Sequence, residues 1–122
     1  MDDHQTRICV VARDDVAVVK CLDEKLDDDE LIEIWSGELA HVAEQFQGRY
    51  IIVDFQNVFI ATSLVLGTLL SLKFQTRKNG MQFGLCGVNE YIMETFRMTC
   101  LDKAFVIGRG EEETLALLKN PS

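Results

Sequence analysis

YIIVDFQNVFIATS, residues 50–63, is the stretch of sequence that decides the fold. Residues 50–55 have few polar positions, as expected for a β-strand that is covered on both faces. A loop over residues 56–62 then leads into residues 63–78, where apolar residues recur at helical spacing until Asn79-Gly80 ends the pattern. A buried strand that leads into a helix is the unit from which a parallel sheet is built.

The same alternation continues toward the C-terminus. Residues 81–87 have the pattern of a strand, residues 90–99 of a helix, residues 104–107 of a short strand and residues 111–119 of a last helix. Strands that alternate with helices pair in parallel through right-handed crossovers. These segments therefore extend the sheet that residues 50–55 begin.

Toward the N-terminus the sequence predicts a hairpin and one more helix. Residues 7–13 and 16–22 are apolar runs rich in β-branched residues, and Asp14-Asp15 between them supplies a turn. Residues 27–30 are acidic, which suits a helix N-terminus, and apolar residues then recur every three or four positions as far as Phe46. Trp35 falls on this apolar stripe and is expected in the core.

The elements together define one fold class. It is α/β, with a mixed, mostly parallel central sheet of about five strands, an N-terminal β-hairpin and four helices. The length of 122 residues suits a single domain, residues 1–122, that can bury a sizeable core.

The charge of the chain argues against two classes of partner. Twelve Lys and Arg against twenty Asp and Glu give a net charge of −8, which repels phosphate backbones and anionic lipids. Residues 55–72 carry no charge, but polar side chains interrupt them, so we read this stretch as core. We expect no nucleic-acid partner and no membrane insertion, and a protein partner with basic groups suits the surface.

Cysteines and the N-terminus bear on metal binding and location. The four cysteines form no closely spaced pair, so no metal site is expected. The start Met1-Asp2-Asp3 is unlike a secretory signal, and a cytoplasmic protein with reduced thiols is expected. Cys9, Cys21 and Cys86 lie in apolar runs, and we expect them to be buried.

No segment has the pattern of a catalytic or cofactor site. Gly108-Arg109-Gly110 starts like a phosphate-binding loop, but the three glutamates that follow would repel a phosphate. The acidic residues 23–33 lack the ligand spacing and central glycine of a calcium loop. The two histidines, His4 near the N-terminus and His41 alone on a helix, supply no base to a serine nucleophile. We therefore expect a protein without enzymatic activity or cofactor.

The loop before the helix at residue 63 is the more informative segment. Residues 58–61 are apolar, although loops at the carboxyl ends of parallel strands lie at the edge of the sheet. They lead to Thr62-Ser63, of which one hydroxyl caps the helix or accepts a phosphate. A phosphate would add about −1.5 to −2 charges beside the apolar loop and would switch off a partner that binds there. Phe59, Leu64 and Leu66 are core residues or contacts for that partner.

Residues 51–63 resemble the central segment of the STAS domain, which sulfate transporters and anti-sigma-factor antagonists share. In that family a strand ending in Asp-Leu leads through a Val-x-Phe-(Ile/Met) loop to Asp-Ser-Ser-Gly-Leu and an apolar helix. Residues 83–89, 93–96, 101–107 and 111–115 also follow the family's order of strand, short helix, strand and acidic helix start.

The resemblance implies a regulatory domain that binds an anti-sigma kinase-like protein and is controlled by phosphorylation of one serine. By position that serine is Ser63, with Thr62 as the neighbouring hydroxyl, while Ala61 and Leu64 replace the family's acid and glycine. The alternative is a non-phosphorylated structural or homodimeric interaction domain within a larger signalling assembly. The residues expected to contact the partner are Phe59, Ala61, Thr62, Ser63, Leu64, Leu66, Val88 and Asn89.

Overall fold

A computed structural model describes residues 7–120 of the chain. The elements follow one another as β1 (Ile8–Arg13), β2 (Val16–Cys21), β3 (Lys25–Leu26), α1 (Asp29–Gln45), β4 (Tyr50–Asp54), β5 (Ile60–Ala61), α2 (Ser63–Lys78), β6 (Gln82–Cys86), α3 (Glu90–Met98), β7 (Val106–Gly108) and α4 (Glu111–Lys119). The start Met1-Asp2-Asp3 and His4, from which location and the lack of a catalytic base were inferred, lie outside the described residues.

Five strands form the central sheet in the order β1-β2-β4-β6-β7. β1 and β2 make an antiparallel hairpin, whereas β2–β4, β4–β6 and β6–β7 pair in parallel. At the hairpin turn Asp14 has a φ of 54°, a conformation that Asp adopts more readily than most side chains. The predicted mixed, mostly parallel sheet with an N-terminal hairpin and four helices is confirmed.

A second, two-stranded sheet is present that the sequence pattern does not predict. β3 pairs in parallel with β5, with Lys25 opposite Ile60 and Leu26 opposite Ala61. Each strand has only two residues, which is too short for an alternation of apolar and polar positions to show. This pairing joins the segment before α1 to the loop before α2.

The larger part of the core lies between the central sheet and helices α1, α2 and α3. Trp35 is fully buried, which confirms its predicted place. Its ring packs edge-on against Phe55 with 6.2 Å between centroids, and its Nε1–H points at the Cys21 Sγ 3.4 Å away. Helix α4 covers the opposite face of the sheet, where Leu118 packs with Ile52.

Several predicted positions are corrected by the structure. Cys9 is exposed rather than buried, because it lies on edge strand β1 and points away from the core side that Ile8 occupies. β7 begins at Val106 and not at Ala104, since Phe105 precedes the strand and packs edge-on between two other phenylalanine rings.

No helix within residues 7–120 has the length and apolarity that crossing a membrane requires.

Leu66 is a core residue, so the expectation that it contacts a partner is wrong. Only 1% of it is exposed, whereas Leu64 is 49% exposed. Leu66 and Leu69 are three positions apart and therefore lie on the same face of α2, which packs against the sheet. Leu64 lies on the opposite side of the first helical turn and stays accessible.

Truncation of these two leucines should have unequal effects. Leu66→Ala removes a buried side chain and leaves a cavity, so we expect it to lower the free energy of unfolding by about 2–5 kcal/mol. Leu64→Ala, on the same helix, should lower it by less than about 1 kcal/mol. Chemical denaturation followed by circular dichroism measures both, and equal losses would contradict the burial assigned to Leu66.

The cysteines should divide into two reactive and two protected thiols. Cys9 and Cys100 are exposed. Burial raises the pKa of Cys21 to about 12, and burial together with the nearby Asp54 carboxylate raises the pKa of Cys86 to about 12. The thiolate is the reactive form, so iodoacetamide at about pH 8 should modify two cysteines in the folded protein and four after unfolding.

Mass spectrometry of the intact protein counts these adducts, and a third adduct in the folded state would refute the assignment.

The raised pKa values of Cys21 and Cys86 also determine how the stability of the protein depends on pH. The two buried thiols titrate near 12 when folded against an ordinary 9.0. The folded state therefore holds more protons than the unfolded chain above about pH 9, and its stability falls as the pH rises from there.

Candidate functional site

Backbone hydrogen bonds hold the loop between β4 and α2 against the segment before α1. The Phe59 N–H donates to the Glu24 carbonyl at 2.7 Å, and the Thr62 N–H donates to the Leu26 carbonyl at 3.2 Å. Val58, at the base of the loop, is buried. The loop and residues 24–26 therefore form one unit at the carboxyl edge of the sheet.

Asn89 holds the same loop from its other side. Its Nδ2 lies 3.3 Å from the carbonyl oxygens of both Val58 and Phe59. Its Oδ1 accepts the Ile92 N–H at 2.7 Å, so Asn89 is also the N-cap of α3. Val88 is half-buried against the core. Asn89 thus positions the loop, a role that sequence reasoning missed, and contact of Val88 and Asn89 with a partner stays a prediction.

The loop presents apolar side chains to solvent. Phe59 is 55% exposed, Ile60 36% and Leu64 49%, while Ala61 between them is half-buried. Single exposed apolar residues are ordinary, whereas these three lie within six positions and form an exposed apolar patch. We call Phe59, Ile60 and Leu64 the apolar loop surface.

Thr62 and Ser63 differ in accessibility and in role. Thr62 is the N-cap residue of α2, but its side chain makes no capping hydrogen bond and its Oγ1 is buried without a partner. Its carbonyl instead accepts the Val65 N–H at 3.0 Å. Ser63 is the first residue of α2 and is exposed. Of the two predicted phosphoacceptors, Ser63 is therefore the one that another protein can reach.

The N-terminus of α2 differs from the other helix starts in the described part of the chain. Helices α1, α3 and α4 carry acidic residues in their first turns, and Asp28 caps α1 by accepting the Leu31 N–H at 2.9 Å. Helix α2 has neither an acidic first turn nor a side-chain cap. The partial positive charge of this helix end is therefore not compensated where Ser63 lies.

A cavity of about 540 Å³ lies at the carboxyl ends of β4, β6 and β7. Asp54 is buried there and accepts the Gln56 N–H at 2.8 Å. Glu113 accepts the Arg109 N–H at 2.6 Å, and this bond lowers the pKa of the Glu113 carboxyl. The cavity is lined by Asp54, Gln56, Cys86, Gly87, Arg109, Gly110, Glu111, Glu112 and Glu113.

The chemistry of this cavity does not favour an anion. Four of its lining residues are acidic and one is basic. The glycine at 108 is explained by packing, because a Cβ there would lie 2.4 Å from the Thr114 Oγ1. Within residues 7–120, no three His, Cys, Asp or Glu side chains are placed to hold a metal ion.

A groove of about 330 Å³ extends from Leu64 between α1 and α2, and sequence reasoning did not foresee it. Ile32 and Leu64 give it apolar walls, while Asp29 and Glu33 add carboxylates. The acidic run of residues 27–30 is visible in the sequence, but the β3–β5 pairing places it beside the apolar loop surface. Ser36 and Thr68 complete the lining.

The sequence matches the family model of the STAS domain over residues 14–114. No curated protein sequence matches it. Three solved structures illustrate the likeness in fold. An anti-sigma factor antagonist from Mycobacterium paratuberculosis is 18% identical, with 93% of each chain covered and a TM-score of 0.79.

An anti-sigma-factor antagonist (STAS) domain protein from Planctomyces limnophilus is 19% identical, with 93% of this chain and 98% of the other covered and a TM-score of 0.75. The phosphorylated form of the Bacillus cell fate determinant SpoIIAA is 16% identical, with 89% of this chain and 96% of the other covered and a TM-score of 0.65. Since the family model spans both the central sheet and the loop that leads into α2, the chain belongs to the STAS domain family.

Proposed function

We propose that this STAS domain is a non-enzymatic regulatory module that binds a protein partner through the apolar loop surface and is switched by phosphorylation of Ser63. The observation that carries the proposal is an accessible Ser63 at an uncapped helix start, next to exposed Phe59, Ile60 and Leu64. The solved anti-sigma factor antagonists of the same fold, one of them in a phosphorylated form, support it.

The chemistry of the switch follows from this arrangement. A phosphate on Ser63 adds about −1.5 to −2 charges at a helix N-terminus, where a negative charge is favourable, so the folded domain tolerates it. A partner that covers Phe59 and Leu64 would have to take the same charge out of water. Phosphorylation therefore weakens the complex without unfolding the domain.

The proposed partner resembles an anti-sigma factor with kinase activity, and the proposed location is the cytoplasm, where such a partner and ATP occur. Ala61 and Leu64 stand where the family has an acid and a glycine. The kinase for this chain must therefore accept the half-exposed Leu64 side chain beside the hydroxyl.

The switch is tested by mass spectrometry of the protein isolated from its own cells. We expect one added phosphate, located on Ser63 and absent from Ser63→Ala, because Ser63 is the accessible hydroxyl. Thr62→Val should keep the phosphate, since the Thr62 Oγ1 is buried. Incubation with the cognate kinase and ATP should reproduce this pattern. Protein that never carries phosphate at Ser63 would refute the switch and leave the binding module standing.

A second candidate function is self-association, which the position of β1 at the edge of the described sheet favours. The Leu22 N–H donates to the Arg7 carbonyl at 3.1 Å, so Arg7 and Leu22 are a hydrogen-bonded pair. In an antiparallel pair of strands, only every second residue of β1 forms backbone hydrogen bonds with β2. The backbone groups of the residues between them face away from β2. The residues of β1 with backbone groups that face away are Ile8, Val10 and Ala12. A second copy could add its own β1 to this edge, whereas Leu66 and Leu69 of α2 are buried and cannot mediate the contact.

Val11→Lys should abolish such a dimer, because a lysine on an edge strand opposes pairing with another strand. Light scattering coupled to gel filtration should show the mass of the unmodified protein rising from 13.8 kDa toward twice that value with concentration. Ile34→Lys, at a similarly exposed position on α1, is the matched control and should leave the dimer intact. A constant monomer mass, or equal behaviour of both variants, would rule out pairing through β1.

A further inference from the structure

The apolar loop surface and the groove between α1 and α2 share Leu64 and form one continuous face. Leu64 is 49% exposed on the side of the loop and also lines the groove. Ile32, which is 1% exposed, is the other apolar residue of the groove lining. A bound chain segment that covers Phe59 and Leu64 can therefore continue into the groove beside α1.

One border of this face is strongly acidic. Residues 23–33 contain seven Asp and Glu against one Lys, most of the excess negative charge of the whole chain. Asp23 pairs with Arg7 at 3.0 Å and Asp28 caps α1, so these two carboxylates serve the fold. Asp29 and Glu33 are exposed at the groove, and no basic side chain within residues 7–120 forms an ion pair with either.

We propose that the face made by the apolar loop surface and this groove takes a segment of the partner in which Lys or Arg residues flank large apolar side chains. This rests on the proposed function and names the chemistry of its partner. The apolar side chains of the segment would cover Phe59 and Leu64, and its cations would lie against Asp29 and Glu33. A second copy of this chain does not fit this face, because its net charge of −8 opposes the acidic border.

The acidic border and Ser63 lie on different helices. Asp29 and Glu33 belong to α1, whereas Ser63 follows the loop directly and adjoins Leu64. A phosphate on Ser63 would lie beside Leu64, which the apolar part of the segment would cover. Charge attraction between the border carboxylates and the cations of the segment speeds association and weakens as salt is added.

The test selects peptides from a random displayed library on the full chain and measures their affinities by biolayer interferometry. We expect the selected peptides to carry Lys or Arg beside Leu, Ile or Phe, and to lose binding to Phe59→Ser, which removes an exposed ring without disturbing the core. The double variant Asp29→Asn, Glu33→Asn should bind them about three- to tenfold more weakly, since two exposed ion pairs are lost.

The matched control removes two carboxylates away from the face. Glu44→Gln, Glu112→Gln leaves the same net charge as the groove variant, but Glu44 lies near the C-terminal end of α1 and Glu112 on α4. Its affinity for the peptides should change by less than about twofold. Added salt should weaken binding to the unmodified chain more than binding to the groove variant.

Each other outcome overturns the proposal in a distinguishable way. Neutral peptides that still need Phe59 would refute the basic partner and keep the contact surface of the proposed function. If both double variants bind the basic peptides with equally reduced affinity, the peptides are attracted to net charge alone, and the role of the groove is refuted. Peptides that bind Phe59→Ser unchanged would refute the contact surface itself, and with it the binding part of the proposed function.

Discussion

The two hydrogen bonds from Phe59 and Thr62 to the carbonyls of Glu24 and Leu26 are the constraint on which the candidate site depends. They join the loop to residues 25–26 in a two-stranded sheet. In the loop held in this way, the side chains of the apolar loop surface are exposed to solvent. The same pairing brings an acidic segment, distant in sequence, to the border of the apolar loop surface.

The side chain of Asn89 and the start of helix α2 complete the candidate site. Asn89 caps α3 and at the same time holds the carbonyls of Val58 and Phe59, so the loops after β4 and β6 are positioned together. Helix α2 starts directly after the loop with an uncapped end, and its buried face packs on the sheet. An accessible serine thereby lies at a helix start beside exposed apolar side chains, which is the geometry on which the proposed phosphorylation switch depends.

Some of the site residues predicted from the sequence are accessible in the structure, and others are buried. Phe59, Ser63 and Leu64 are accessible as the contact interpretation requires. Leu66 is not, since helical spacing places it on the buried face with Leu69, a distinction that composition alone does not make. The buried hydroxyl of Thr62 and the bridging role of Asn89 depend on side-chain directions, for which one sequence carries no signal.

The sequence by itself determined the order of the main strands and helices, with α2 and α4 at their observed bounds, because backbone geometry imposes a local period on apolar residues. It also determined membership of the STAS family through motifs in the right order. Only the tertiary structure decided that residues 24–33 border the apolar loop surface. That contact rests on strands of two residues paired across more than thirty positions, and such a pairing leaves no periodic trace in either segment.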